Sequence, residues 1–316
     1  MNRLNKFVII MILYSLLCGQ TLFVLAQDEP KEEKPAAKKQ PSKTIWVGRG
    51  YDATGKYADT DSVRREPIFD IRQDAEGNLI MMSGEESFPI VVDNNTVTDF
   101  DEIKGKSLSE YQSDFSNKLK ISGSYKLFSA SLSVNFGISE NNSTAKEFLT
   151  ISHWVQTQTY TLPDEVKPLV RPEAQTFINE ANPREVFRKF GTHFIWQANT
   201  GGRVDFNFIQ NNSSSQRDFN FQAVASAAFN AAIASVSVEN ETAYRNSMKK
   251  INENGSVKIK TYGGGNDAGA KIYQNMSALS DWAASVENNP TLCRFTDQSL
   301  RGIWELASTD ERKAEL

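Results

Sequence analysis

Twenty-one consecutive residues, Asn182 to Gly202 (NPREVFRKFGTHFIWQANTGG), allow this chain very few local folds. Asn182 is a good N-cap and Pro183 falls where the first helical residue needs no N–H, so a helix starts there. Val186, Phe187 and Phe190 give that helix a one-sided apolar stripe. Gly191 ends it, because glycine enters the left-handed C′ conformation without a Cβ penalty. Thr192, His193, Phe194, Ile195 and Trp196 are strand formers. Beyond the pair Gly201–Gly202 the pattern resumes as Val204, Phe206 and Phe208, alternating with polar residues. Paired glycines inside a strand pattern predict a bulge or a sharp bend.

Two other stretches constrain the chain more loosely. From Phe128 to Ile138 the even positions Phe128, Ala130, Leu132, Val134, Phe136 and Ile138 are apolar, and the residues between them are Ser, Asn or Gly. Alternation of period two predicts a strand with one apolar and one polar face, and eleven residues match the roughly 9–11 that a tilted strand needs to cross a bilayer. From this segment alone, a half-buried strand of a water-soluble sheet is the favoured reading. The second stretch, Phe219 to Val238, has no charged residue in a chain that is 23% charged. With period two, Phe219, Phe221, Ala223, Ala225, Ala227, Phe229, Ala231 and Ile233 share a face. With period 3.6, Phe221, Val224, Ala225, Ala228, Phe229, Ala232, Ile233 and Val236 share a stripe. Both readings stand, and helix is expected in a soluble monomer, since an uncovered apolar strand would aggregate. Asn220, Gln222 and Asn230 argue against a membrane-spanning helix.

The first 26 residues carry Arg3 and Lys6 before an apolar run from Phe7 to Leu17, and Val24-Leu25-Ala26 suits cleavage before Gln27. They read as an export signal, so the protein is expected to be secreted, periplasmic or at the cell surface. Bulky Leu17 makes a lipoprotein anchored through Cys18 the weaker alternative. Without that segment 33 basic residues face 39 acidic ones, a net charge of −6 that gives no reason to expect a nucleic-acid partner. Cys293 is then the only cysteine, so no internal disulfide is possible. Residues 27–43 are rich in charge and proline and read as a disordered spacer. Residues 44–307 read as one core domain, and 308–316 as a charged tail.

Within the core, Gly48 to Gly55 is glycine-rich but fits neither phosphate-loop nor dinucleotide spacing. Short strands are expected at Ile68–Ile71, Leu79–Met82 and Ile90–Val92, with turns at Gly77 and Asn94–Asn95. A strand from Val257 to Tyr262 runs into Gly263-Gly264-Gly265. Met276, Leu279, Trp282, Ala283 and Val286 predict a helix, and Leu300, Ile303, Trp304 and Ala307 another, capped at Asp297. Enzyme chemistry finds no footing: His153 and His193 are the only histidines and stand in no catalytic or metal-ligand spacing, so His193 reads as a structural strand residue and no metal, nucleotide or other cofactor is expected. Two alternating segments are also too few for an outer-membrane porin.

The run Phe190-Gly191-Thr192-His193-Phe194, six residues, then Gly201-Gly202 resembles the signature of the membrane-attack-complex/perforin (MACPF) family, with Phe190 where Tyr or Trp is commoner. Gly50-Tyr51-Asp52 and the second glycine pair, Gly263-Gly264, are similar to segments of bacterial members. The resemblance implies an α+β fold of the MACPF/cholesterol-dependent-cytolysin type: a bent, twisted four-stranded antiparallel sheet flanked by two helical clusters. These clusters, near Tyr111–Leu149 and Phe206–Ser256, would refold into membrane β-hairpins once subunits form a homo-oligomeric ring on a target membrane with an unknown receptor. It further implies that Gly201, Gly202, Gly263 and Gly264 set the bend of the sheet. The lipid face would then hold Phe128, Leu132, Val134, Phe136, Phe219, Phe221, Ala223, Ala227, Phe229 and Ile233. A non-lytic member used in adhesion or surface assembly is the alternative, since only a charged tail follows Ala307.

Overall fold

The computed structural model describes residues 45–119, 128, 131, 135–136, 146–211, 220–297 and 299–316. The expected export signal and spacer, Leu132, Val134 and Phe219 lie outside the described residues. Four long strands form the centre of the molecule: β7 (Val97–Gly105), β8 (Lys146–Thr161), β10 (Gln197–Asn211) and β11 (Gly255–Tyr262), side by side and all antiparallel. Two short strands, β6 (Val91–Asp93) and β12 (Thr291–Arg294), extend this sheet against β8 and β10.

Strict alternation along the strands gives the sheet two unlike faces. Leu149, Ile151, Val204, Phe206 and Phe208 form one apolar face, which is covered by helices α4 (Phe221–Ile233), α5 (Val238–Asn254), α6 (Ala268–Gln274) and α7 (Ala278–Ser285). Buried Thr150, Ser152, Arg203, Asp205 and Asn207 occupy the opposite face. Helix α1 (Leu108–Leu119) supplies Tyr111 and Phe115 to the core on that side, with Tyr57, Phe128, Phe136 and Phe295 around them.

The helix foreseen at residues 183–190 forms as α3 (Pro183–Phe190), after α2 (Pro172–Glu180). Asn182 caps it by accepting a 3.0 Å bond from the Arg184 N–H, and Gly191 closes it at φ 80° with its N–H on Phe187 O. Strand β9 (His193–Ile195) follows and lies between β1 (Arg49–Tyr51) and β13 (Leu300–Gly302), in a second sheet that β2 (Val63–Pro67) completes. A third sheet holds β3 (Asp70–Gln73), β4 (Leu79–Ser83) and β5 (Glu86–Pro89).

Three expectations need correction. At the described residues of 128–138 the expected strand is replaced: Ser131, Asn135 and Phe136 are helical and Phe128 sits in a turn at φ 57°. Tertiary packing decides instead: both side chains pack against aromatic rings, Phe128 on Tyr57 and Phe136 on Tyr111 and Phe148. The last expected helix is instead β13 and one 3-10 turn (Ile303–Leu306), because Leu300 and Arg301 pair with Ile195 and Phe194; the N-cap of that turn is Gly302, not Asp297. Finally, α4 stops at Ile233, which leaves Ile233 and Val236 exposed at the break before α5 rather than in the apolar stripe. The charged end of the chain forms a helix, α8 (Asp310–Glu315), whose Arg312 donates to the carbonyls of Ile178 and Ala181.

Candidate functional site

Gly50 and Gly191 interlock the two segments on which the family resemblance rests. A Cβ on Gly191 would lie 2.4 Å from the Tyr51 carbonyl oxygen, and one on Gly50 would lie 1.9 Å from Phe190 O. Backbone can approach this closely only where both residues lack a side chain. Thr192 fastens the contact, its Oγ1 accepting from Ala53 N at 3.1 Å.

His193 is nearly buried against Trp304, with Nδ1 2.9 Å from Thr192 Oγ1. Desolvation lowers its pKa to about 4, although Asp52 opposes the shift. A folded-state pKa below the unfolded value of 6.5 means that the unfolded chain takes up the proton first. Stability that is complete above pH 6.5 is therefore lost as pH falls from 6.5 towards 4, by on the order of 3 kcal/mol at most. The urea midpoint of wild type is expected to fall more steeply over this window than that of His193→Gln; parallel profiles would remove His193 as the cause.

The two glycine pairs meet at one point of the central sheet. Strand β10 runs through Gly201–Gly202 as a continuous strand, with the register against β8 shifted between Thr200 and Gly201. The extra residue is Thr157 of β8, so the bulge lies in the partner strand and the glycines face it. Gly201 has φ 154°, and a Cβ there would lie 2.0 Å from Val155 O. Gly263 and Gly264 follow β11 at φ 69° and 70°. Gly263 lies against Gly201 O, and Gly202 and Gly264 both lie against Trp282 of α7. The indole then closes the arrangement, its Nε1 donating to Gly263 O at 3.0 Å.

Next to the bulge lies a charge that composition did not reveal. Arg203 is 2% exposed; its Nε donates to Asp205 at 3.0–3.1 Å, Nη1 to Cys293 O at 2.8 Å and Nη2 to Tyr57 O at 3.2 Å, between the rings of Tyr57 and Tyr262. Burial pushes both tyrosine hydroxyls up to about 12. Asp205 also accepts from Ser152 Oγ at 2.7 Å. Arg203→Met removes one half of a buried pair, so a loss of about 3–5 kcal/mol is expected in urea unfolding. A change under about 1 kcal/mol would show that Ser152 alone satisfies Asp205.

Both helical clusters leave the sheet at the same end. Gly105 of β7 is opposite Phe148 of β8, Phe148 is opposite Ile209 of β10, and Ile209 is opposite Ser256 of β11. The 40 residues 106–145 join β7 to β8, and the 43 residues 212–254 join β10 to β11. Each adjacent pair is thus a hairpin with a helical insertion in place of a turn. Of the expected lipid-face positions, Phe128, Phe136, Phe221 and Phe229 are buried in this structure, whereas Ala223, Ala227 and Ile233 are exposed. Among the described residues no helix is long and apolar enough to cross a membrane, and no group of three His, Cys, Asp or Glu could hold a metal ion.

The model of the MAC/Perforin domain matches residues 40–306. GNIP1Aa from Chromobacterium piscinae superimposes with a TM-score of 0.70 at 26% identity, over 85% of this chain and 53% of that one. A putative cell invasion protein with a MAC/Perforin domain from Bacteroides thetaiotaomicron superimposes with a TM-score of 0.59 at 13% identity, over 88% and 60%. The chain therefore spans little more than half the length of these structures. No curated protein matches it significantly.

Proposed function

The chain belongs to the MAC/Perforin domain family, and from that premise we propose that it is an exported pore-forming protein whose two clusters refold into membrane hairpins after subunits assemble into a ring. One observation carries the reading. In the β8–β10 ladder even residues of β8 stand opposite odd residues of β10, Trp154 with Arg203 and Phe148 with Ile209. Continued beyond Lys146 and Asn211 without a slip, the same register pairs Ile138 with Phe219, Phe136 with Phe221, Val134 with Ala223, Ala130 with Ala227 and Phe128 with Phe229. The two alternating segments meet over their whole common length. Because register fixes which face a side chain takes, both apolar sets fall on one side of the sheet.

The outer ladders agree. Extending β7–β8 turns the chain at Lys126–Leu127, with Phe115, Leu119, Ile121 and Tyr125 on the apolar side and Asp114, Lys118 and Lys120 on the other. Extending β10–β11 turns it at Ala232–Ile233, with Val236, Val238, Tyr244 and Met248 on the apolar side and Glu239, Glu241 and Arg245 on the other. The two tips reach nearly the same depth, and each arm exceeds the roughly 9–11 residues that a bilayer requires.

Ring closure needs unlike edges to meet head to tail. Edge strand β7 brings Asp99, Asp101 and Glu102 alongside Lys104, and β11 brings Lys258 and Lys260, so the two edges are complementary in charge. Helix α6 lies along β11, with Gly269 close to Ile259 O, and is the element that has to move.

Dye release from liposomes by protein lacking residues 1–26, with imaging for rings, tests the function. The register has its own test. Ala130→Cys combined with Ala227→Cys is expected to form a disulfide in the membrane-bound fraction; a lytic protein that never forms it would have a different register.

A further inference from the structure

A cavity of about 250 Å³ lies between α1 and the polar face of the sheet, lined by Tyr57, Asp101, Phe115, Lys118, Trp154 and Arg294 among others. The pore-forming reading makes no use of it. Arg294 is its notable feature. Its guanidinium lies 3.9 Å from the centre of the Trp154 ring and forms no ion pair among the described residues, and its Nε–H is buried without an acceptor. The indole is held in turn, with Nε1 donating to Asp101 Oδ2 at 3.0 Å. A half-buried guanidinium fixed by stacking, with its planar fork unspent, is preorganised for a carboxylate or phosphate.

The carboxylates of Asp101 and Asp297 line the same cavity, so a bare anion would meet repulsion there. The complementary ligand has an oxyanion at one end and a hydrogen-bond donor at the other. We propose that this cavity binds a small soluble molecule of that kind, of the amino-acid or phosphorylated amino-alcohol class, and that the ligand clamps α1 to the sheet through the wall formed by Phe115 and Lys118.

The test is a titration of the ¹⁵N-labelled protein lacking residues 1–26, without membranes, followed at the Arg294 Nε–Hε resonance, which Arg294→Lys identifies. L-Serine and phosphoethanolamine are expected to shift that resonance saturably and to slow hydrogen exchange in residues 108–118, whereas ethanolamine does neither. Arg294→Gln is expected to weaken phosphoethanolamine binding in calorimetry roughly tenfold or more, the loss of one charge-assisted bond. Because the titration reads the wild-type protein, it decides even where Arg294→Gln does not fold. No shift with either oxyanion, or an equal shift with ethanolamine, overturns the proposal. So does Arg294-dependent binding to vesicles of phosphatidylcholine and phosphatidylethanolamine without a shift by the soluble compounds, which would assign the site to a lipid headgroup.

Discussion

Ala227→Lys is expected to abolish dye release from liposomes, whereas Asn230→Lys leaves it near wild type, although both variants fold alike. Ala227 and Asn230 are both exposed on α4, so a lysine at either is solvated in the monomer and costs little. On a strand their parities differ. Ala227 falls on the face that Phe221 and Phe229 share, opposite Ala130 in the register carried over from β8 and β10, and five residues from the Ala232–Ile233 tip. Asn230 falls on the polar face. A lysine on the lipid face near mid-bilayer costs roughly 2–4 kcal/mol, and a ring repeats that cost in every subunit. Equal lysis by the two variants would mean that this segment does not line a pore, and an adhesive or assembly role would then explain the family membership better.

Gly201→Val is expected to destabilise the monomer by about 4 kcal/mol or more, among the largest single-residue effects in the chain. Its backbone at φ 154° is strained for any residue with a side chain, and the new Cβ would lie 2.0 Å from Val155 O, part of the ladder that holds the sheet together. Neither atom can give way without breaking β8–β10 pairing. Two controls bracket the effect. At Gly202 the added atoms meet the side chains of Val286 and Trp282, which can shift, so Gly202→Val is expected to cost roughly 1–3 kcal/mol as an overpacked site. At Gly77, φ is 87° but nothing lies within 4 Å, so Gly77→Ala carries backbone strain of only about 1 kcal/mol. Urea midpoints in the order wild type, Gly77→Ala, Gly202→Val, Gly201→Val are the expected result. A wild-type midpoint for Gly201→Val would remove the close approach of β8 and β10 as the reason for glycine there.

What the sequence determined by itself is local. Asn182, Pro183 and Gly191 bound α3 because capping depends on residues only a few positions apart. The missing charge in Phe219–Val238 and its double period survive in any state of the chain, and the alternation of 128–138 records a face without saying when that face forms. Tertiary structure decided which state is occupied: Phe136 is helical where the rings of Tyr111 and Phe148 receive it. Leu300 is in a strand because β9 offers an edge, although its apolar spacing reads as a helix. Arg203 and Arg294, ordinary charges in the sequence, acquire their roles from partners that lie far along the chain, Tyr57 for the first and Trp154 for the second. Most of all, the sequence could not reveal that its two apolar alternations would share one side of the sheet if they continued β8 and β10 as strands, as the proposed function requires. That follows from the pairing of Phe148 with Ile209, a non-local register set by the packing of whole strands, in which a slip of one residue would have turned one of the two faces the other way.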